Sequence, residues 1–423
     1  ITILTSISST GLECRDMREK FSPLQRSTLL LCFFAYASAY TGRLNLSAAL
    51  PGLRGGIAMS DAQAGLFQTV FALVYAAGQI VNGSLVDKIN VRRSIAVGLI
   101  ASAACNALFG LTAAFPVMLI LWGLNGAAQS MLWTPIVKLV ADRFSGQARD
   151  RASFVLSITI IFGHFIAWAI SGTLAAILSW RYSFLIPAFI MTAAGVFVFA
   201  ALRRESVHSA DTKASTAPAA PMPLGKLISR TGLAALLLCC VCNGFVRDGV
   251  VTWAPTVLSS GSRGLSLSST LLSLIIPPLN ILGIVLVRRC YRLLRGNARG
   301  AVGVLLLVSA LMAWLLRFTS APAACALLLG LCCASCYGIN PMINTLIPME
   351  YERAGRVGLV AGLVDCFIYL GSALAGTAAG ALSDGYGWNA VYTVWAFVSA
   401  LGAALAFVSL RGGKRMAQMV EHL

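Results

Sequence analysis

Two arginines, Arg43 and Arg247, are the residues of this 423-residue chain whose type and position could do chemistry. Each sits in a long apolar run, in Tyr40-Thr41-Gly42-Arg43-Leu44-Asn45 and in Gly244-Phe245-Val246-Arg247-Asp248-Gly249. Each precedes a proline, Pro51 or Pro255, by eight residues, and the two are 204 residues apart, close to half the chain. A guanidinium never deprotonates and presents a planar fork of donors that meets a phosphate or carboxylate at two points. Such a charge at the centre of a membrane helix costs about 2.5–3.5 kcal/mol on insertion scales, so the position calls for a use. At about 1.5 Å of rise per residue, Arg43 lies roughly 20 Å from one end of its run and 12 Å from the other, which strains simple snorkelling. One arginine at the matching place of each half predicts a duplicated bundle with an anion site on its symmetry axis. The plainer alternative is a structural ion pair of Arg247 with Asp248 or Asp365. Adjacent helical residues point about 100° apart, which makes Asp248 the poorer partner.

The elements that must hold these arginines follow from composition. The chain is 58% hydrophobic and 11% charged, with mean hydropathy +0.81. A soluble domain of this length needs more surface charge, and repeated apolar runs of about 20 residues mean helices through a bilayer. Twelve runs are expected, near 28–50, 62–85, 94–114, 117–140, 152–177 and 183–202, then near 231–258, 268–287, 300–317, 322–348, 357–381 and 389–410. The fold class is an all-α membrane protein, its twelve transmembrane helices forming two pseudo-symmetric six-helix bundles. The expected divisions are an N-terminal segment (1–27), a first bundle (28–202), a linker rich in Ala, Ser, Thr and Pro (203–230), a second bundle (231–410) and a tail (411–423). Residues 1–20 are too polar for a signal peptide, and Met17 reads as a natural start.

The net charge of +17 is distributed, not patched. Of 32 Lys and Arg, 25 fall on the face that would hold both termini, and only Arg54, Arg181, Arg263 and Arg317 on the other. This bias places both termini in the cytoplasm, in a multi-pass protein of the cell's inner membrane, and accounts for the charge without nucleic acid. Alanine- and glycine-rich helices with short loops lean bacterial. Lys138, ending the fourth run, is expected to snorkel. The twelve cysteines lie mostly in apolar runs and read as packing residues; Cys333 and Cys336 form a C-x-x-C without a partner pair, so no metal is expected. No phosphate-cradling glycine loop and no nucleophile–base motif point to an enzyme or a cofactor. The expected partners are a small anionic substrate, inorganic phosphate and the lipid bilayer, with the chain acting as a monomer.

After the second run comes Gly83-Ser84-Leu85-Val86-Asp87-Lys88, then Arg92-Arg93. This pattern resembles the cytoplasmic loop signature of the major facilitator superfamily, with Gly83 for a tight turn, Asp87 able to cap the next helix, and Lys88, Arg92 and Arg93 holding the loop inside. It speaks to gating and not to substrate. The first-run pattern Tyr40-x-x-Arg43-x-Asn45 is similar to that of the organophosphate:phosphate antiporters within that superfamily. So is Arg247-x-Gly249-x-x-x-Trp253-x-Pro255, and so are Tyr75, His164, Tyr337-Gly338 and Tyr369-Leu370-Gly371. The resemblance implies a secondary transporter that exchanges a phosphorylated metabolite against inorganic phosphate. Where carriers of glycerol 3-phosphate have two lysines, this chain has Leu44 and Gln79, which speaks against glycerol 3-phosphate and leaves a hexose phosphate or another organic anion open.

The candidate substrate-binding set is Arg43, Arg247, Tyr36, Tyr40, Asn45, Tyr75, Gln79, His164, Tyr337, Asp365 and Tyr369. The tyrosines offer hydroxyl donors and ring faces to a sugar, though each alone reads equally as packing. His164 either titrates with the second charge of a phosphate or bonds between helices. Asp365, one turn before Tyr369, either competes for an arginine, accepts a proton or is structural. Asn243, Asn340 and Asn344 read as interhelical bonds as readily as ligands. An organic phosphate bridging both arginines would draw the halves together and let the loaded carrier rock, while the empty one, with two unpaired cations, moves less readily. Three rivals remain: a non-transporting sensor of hexose phosphate, a proton-coupled organic-anion symporter, and a drug exporter, which the arginine pair disfavours.

Overall fold

The computed structural model describes residues 21–85, 89–202, 228, 231–260, 266–351 and 356–421, and only the backbone at 83, 84, 146, 147, 150 and 411–421. Among them, eleven helical segments are long and apolar enough to cross a bilayer. The remaining crossing, the first, is α1 (Pro23–Thr41) followed by α2 (Asn45–Gly56), broken at Gly42-Arg43-Leu44. Then come α3 (Asp61–Leu85) and α4 (Val91–Leu111), and a fourth crossing split into α5 (Phe115–Ser130) and α6 (Trp133–Arg143). Helices α7 (Gly146–Ile177) and α8 (Tyr182–Ala201) complete the first bundle. The second bundle opens with the unbroken α9 (Leu233–Ser260) and continues through a split crossing, α10 (Leu267–Ser273) and α11 (Ile276–Leu293). It ends with α12 (Ala298–Leu315), α13 (Pro322–Gly338), α14 (Val357–Tyr386) and α15 (Trp388–Glu421). Below α13 the tenth crossing passes through a π turn, Met342–Leu346, to a last turn at Ile347–Met349. Four runs expected as single helices are therefore interrupted. The expected tail is a continuation of α15 as far as Glu421. The linker at 203–230, apart from Ile228, lies outside the described residues, as does Met17.

Two arginines counted as loop charges are spent on backbone carbonyls, Arg181 at a helix end and Arg299 between helices. The last carbonyls of a helix have no intrahelical donor, and a guanidinium there answers both the orphan oxygens and the helix dipole. Arg181 donates to the carbonyls of Gly110 (2.7 Å) and Thr112 (3.3 Å) at the end of α4. Arg299, 2% exposed, donates to the carbonyls of Thr231 (3.0 Å) and Ser409 (2.6 Å), to Glu350 Oε2 (2.8 Å) and to the Tyr351 hydroxyl (3.2 Å). One side chain so ties α9, α12, α15 and the end of the tenth crossing together.

The halves meet most closely along α3 and α14. Glycines permit this contact: a Cβ on Gly376 would clash with the Gly65 carbonyl oxygen, so only bare backbones fit. Polar bonds follow the same seam, Gln68 Nε2 to Ser372 Oγ (2.9 Å) and Thr69 Oγ1 with Thr377 Oγ1 (2.8 Å). At its end Asp384 accepts from the backbone N–H groups of Asp61 (2.9 Å) and Ala62 (2.8 Å), capping α3 from the other half. Asp61 in turn pairs with Arg54 at 2.6 Å. This seam closes the face opposite the one from which α1 enters. On the entry face, the C-terminal half of α3 and the N-terminal half of α14 border a cavity.

Candidate functional site: a cavity between the halves

The cavity is about 690 Å³ and takes walls from both bundles. Its depth is set by the break in the first crossing. Where the helix stops at Gly42, backbone oxygens lose their helical donors, and in a membrane those groups must be satisfied by protein. Side-chain amides from α4 and α5 do this. Asn106 Nδ2 (3.1 Å) and Asn125 Nδ2 (2.9 Å) donate to the Gly42 carbonyl, and Gln129 Nε2 (3.0 Å) to that of Ala39. Asn45 Nδ2 donates to Asn106 Oδ1 (2.8 Å) and to the Ser183 carbonyl (3.0 Å). Ser102 closes the network on Asn125 Oδ1 at 2.6 Å. A Cβ at Gly42 would meet the Met191 Sδ at 2.5 Å, so a side chain there would require the Met191 side chain to move.

Held on this turn, Arg43 is half-buried and aims its guanidinium into a ring of aromatic faces. Its Cζ lies 4.6 Å from the centre of the Tyr75 ring, 5.2 Å from Phe71, 5.8 Å from Tyr40 and 6.0 Å from Tyr369. Cation–π attraction holds the charge there without a carboxylate. Among the described residues its hydrogen bond is a long one, Nη2 to the Tyr369 hydroxyl at 3.5 Å.

Arg247 reaches the same cavity from mid-helix, without any break in α9. It is gripped by Asp248 at two points, Nε to Oδ1 at 2.7 Å and Nη2 to Oδ2 at 2.9 Å. The expectation that a neighbouring aspartate makes a poor partner is thus overturned. Arginine's four flexible torsions let the fork curl round the helix, and in an apolar wall the nearest carboxylate wins. Asp365 also lines the cavity, yet the carboxylate paired with Arg247 is Asp248. Nor is the empty cavity a pair of unpaired cations. Two arginines and two aspartates line it, and their formal charges cancel.

Tyr36, Tyr40, Tyr75, Gln79, Tyr337 and Tyr369 all line the cavity. Gln79 donates to the Tyr75 hydroxyl (2.6 Å) and accepts from Thr134 Oγ1 (2.9 Å), a neutral bridge in the wall of the cavity. Tyr36 and Trp133 pack with ring centres 4.8 Å apart, and Tyr337 faces the Arg247 Cζ at 5.4 Å. Two expected members do not line it. Asn45 is fully buried in the amide network, spent on backbone at the helix break. His164 is 1% exposed where α7 packs on the first crossing, its ring edge-on to Trp168 at 4.3 Å. Its Nε2 has no hydrogen-bond partner among the described residues, so neither a ligand role nor an interhelical bond is seen for that nitrogen.

Lining residues outside the expected set include Trp133, Thr134, Asp248, Thr252, Thr345 and Cys366, with Asn340 and Asn344 resolving toward the cavity. Their sequence signal was a polar or aromatic side chain inside an apolar run. In the loop motif, Asp87 and Lys88 lie outside the described residues, and Gly83 is helical in α3. The cap of α4 is Asn90, whose side chain accepts from the Arg93 N–H, rather than Asp87. Arg92 stacks on Phe199 at 4.1 Å and donates to the Leu202 carbonyl at 3.4 Å, tying α4 to α8.

Comparison with known proteins agrees with this architecture. The chain is 25% identical over 408 residues to the membrane sensor protein UhpC of Escherichia coli, covering 90% of this chain and 91% of that one. It is 25% identical over 434 residues to the glycerol-3-phosphate transporter of Bacillus subtilis, 96% of each. A probable hexose phosphate transport protein of Chlamydia muridarum is 28% identical over 171 residues, a match spanning 40% of this chain and only 38% of that protein. Among solved structures, a bacterial homologue of the human lysosomal transporter Spinster, inward-facing and unoccupied, superposes with TM-score 0.72 at 17% identity, covering 95% of each chain. The nucleoside transporter NupG superposes with TM-score 0.66 at 14% identity, covering 93% of this chain and all of that one. Residues 32–358 match the family model of the Major Facilitator Superfamily, most of the chain, and with twelve crossings around one central cavity the chain belongs to that superfamily.

Proposed function

We propose that this protein carries a phosphorylated organic metabolite, of the sugar-phosphate class, across the inner membrane of a bacterium by alternating access, and exchanges it against inorganic phosphate. The observation that carries the reading is the placement of Arg43 and Arg247, one from each half, on a single cavity walled by tyrosines. A guanidinium from each half can share one phosphate, so loading couples the halves. The ring faces of Tyr36, Tyr75 and Trp133 suit the apolar face of a sugar, with hydroxyls and amides at their rims. Relatives named for glycerol 3-phosphate and hexose phosphate support the substrate class. The neutral Gln79 bridge favours a hexose phosphate over glycerol 3-phosphate. Both termini are assigned to the cytoplasm on the charge bias, and the cavity of one chain suffices, so a monomer is the working unit.

The test is counterflow in phosphate-loaded vesicles against a panel of sugar phosphates. Arg43→Lys and Arg247→Lys should each lower exchange by about tenfold or more, since an ammonium is a point donor without the fork. Exchange unaffected by both substitutions removes the shared-phosphate reading. The likeness to UhpC over nine-tenths of the chain motivates a second reading, a sensor that binds hexose phosphate without moving it. Binding with no flux in the same vesicles would favour the sensor.

A further inference from the structure

The cavity already contains an anion in the place a substrate would take. Asp248 meets Arg247 through the two-point contact that a phosphate or carboxylate makes, at 2.7 and 2.9 Å, with both side chains nearly closed off from water. Arg43, by contrast, offers its fork to ring faces and one distant hydroxyl. The two arginines are therefore unequal: one is open, and the other is occupied by the protein itself.

Resting on the reading that the cavity carries an organic phosphate, we propose that Asp248 is a built-in stand-in for the substrate anion on Arg247. It fills the fork while the cavity is empty and is displaced when the phosphoryl group arrives. A substrate thus docks first on Arg43 and completes its grip by exchanging places with the Asp248 carboxylate. Two consequences follow. Selectivity is set by competition, because only a ligand with a strong second anionic oxygen displaces a bidentate carboxylate. Reorientation of the empty carrier is eased, because Asp248 neutralises Arg247 as the walls close and leaves only Arg43, clasped by ring faces, without a carboxylate. The protein then exchanges phosphates without being bound to exchange, and supports one-way flux into vesicles that contain none.

The experiment uses the full chain in vesicles, with radiolabelled inorganic phosphate and glucose 6-phosphate as probes, and compares wild type with Asp248→Asn and Asp248→Glu. Each is measured with phosphate-loaded and phosphate-free interiors. The wild type is expected to show net uptake into phosphate-free vesicles. Asp248→Asn, which keeps the shape and removes the charge, should lower the half-saturating phosphate concentration at least tenfold and abolish net uptake while keeping exchange. Asp248→Glu should retain net uptake. Wild-type exchange with no net uptake overturns the stand-in without touching the phosphate reading, and needs no variant to fold. So does an Asp248→Asn protein whose half-saturation and ratio of net flux to exchange match wild type. Failure of the wild type to exchange either probe overturns the phosphate reading itself, and this inference with it.

Discussion

Gly42 stands at the break of the first crossing, and its carbonyl oxygen is satisfied by two amides, Asn106 and Asn125. Asn106 also accepts from Asn45, so its loss strips one bond from a carbonyl and leaves one buried amide donor with a single partner. Leaving such groups unmet costs about 1–3 kcal/mol. Asn106→Ala should therefore lower the thermal unfolding midpoint in detergent and also weaken anion binding, because the turn that aims Arg43 loosens. A variant that melts early yet binds phosphate as well as wild type would separate the network from the site. Arg43 and Arg247 were legible in the sequence because a charge in an apolar run has no neutral explanation. Asn45 and His164 were misplaced for a related reason. A polar side chain in a span must face something polar, but which something depends on helix rotation, and the open carbonyls at Gly42 appear only once the helix is known to break. Asp248 was discounted on helical geometry that a short side chain obeys and arginine does not.

The helices themselves were legible wherever hydropathy is continuous, and their interruptions were not. Gly42-Arg43-Leu44 carries no proline, and its break is sustained by partners from other helices, whereas the break at Met131-Leu132 has a local cause in Pro135, which has no N–H for the Met131 carbonyl and leaves it to Ser94. The seam between α3 and α14 is likewise a pairwise property, of glycines that look unremarkable in either helix alone. Its most testable element is Asp384, whose carboxylate caps the N-terminus of α3 from the opposite bundle. Charge-assisted bonds of this kind contribute about 1.5–3 kcal/mol, and this one exists only while that face is shut. Asp384→Asn should move the balance between the two openings by about tenfold or more toward the state open on that face. Spin labels at Gly55→Cys and Gly385→Cys, both exposed positions with open space at the Cβ, sit on the two sides of the seam in a cysteine-depleted background. A longer distance population should grow in the Asp384→Asn protein. An unchanged distribution would show the cap to be passive.

At the scale of the whole molecule, a duplicated sequence fits either opening equally well, which is why the direction of the cavity could not be read in advance. The structure is closed along Asp61, Gly65 and Thr69 and opens between the C-terminal half of α3 and the N-terminal half of α14. A native reporter stands in that opening. Cys366 lines the cavity and is exposed, whereas the other described cysteines are buried or partly buried. On the proposed orientation, with both termini cytoplasmic, a membrane-impermeant maleimide should label Cys366 in inside-out vesicles and spare it in intact cells. The Cys366→Ser protein assigns the signal, since Cys14 lies outside the described residues. Glucose 6-phosphate should slow the labelling in proportion to occupancy of the arginines, and Arg43→Lys should remove that protection while leaving the unprotected rate intact. Labelling from the cell exterior alone would reverse the assigned orientation, and labelling from both sides at equal rates would mean that the two openings exchange freely in the empty carrier.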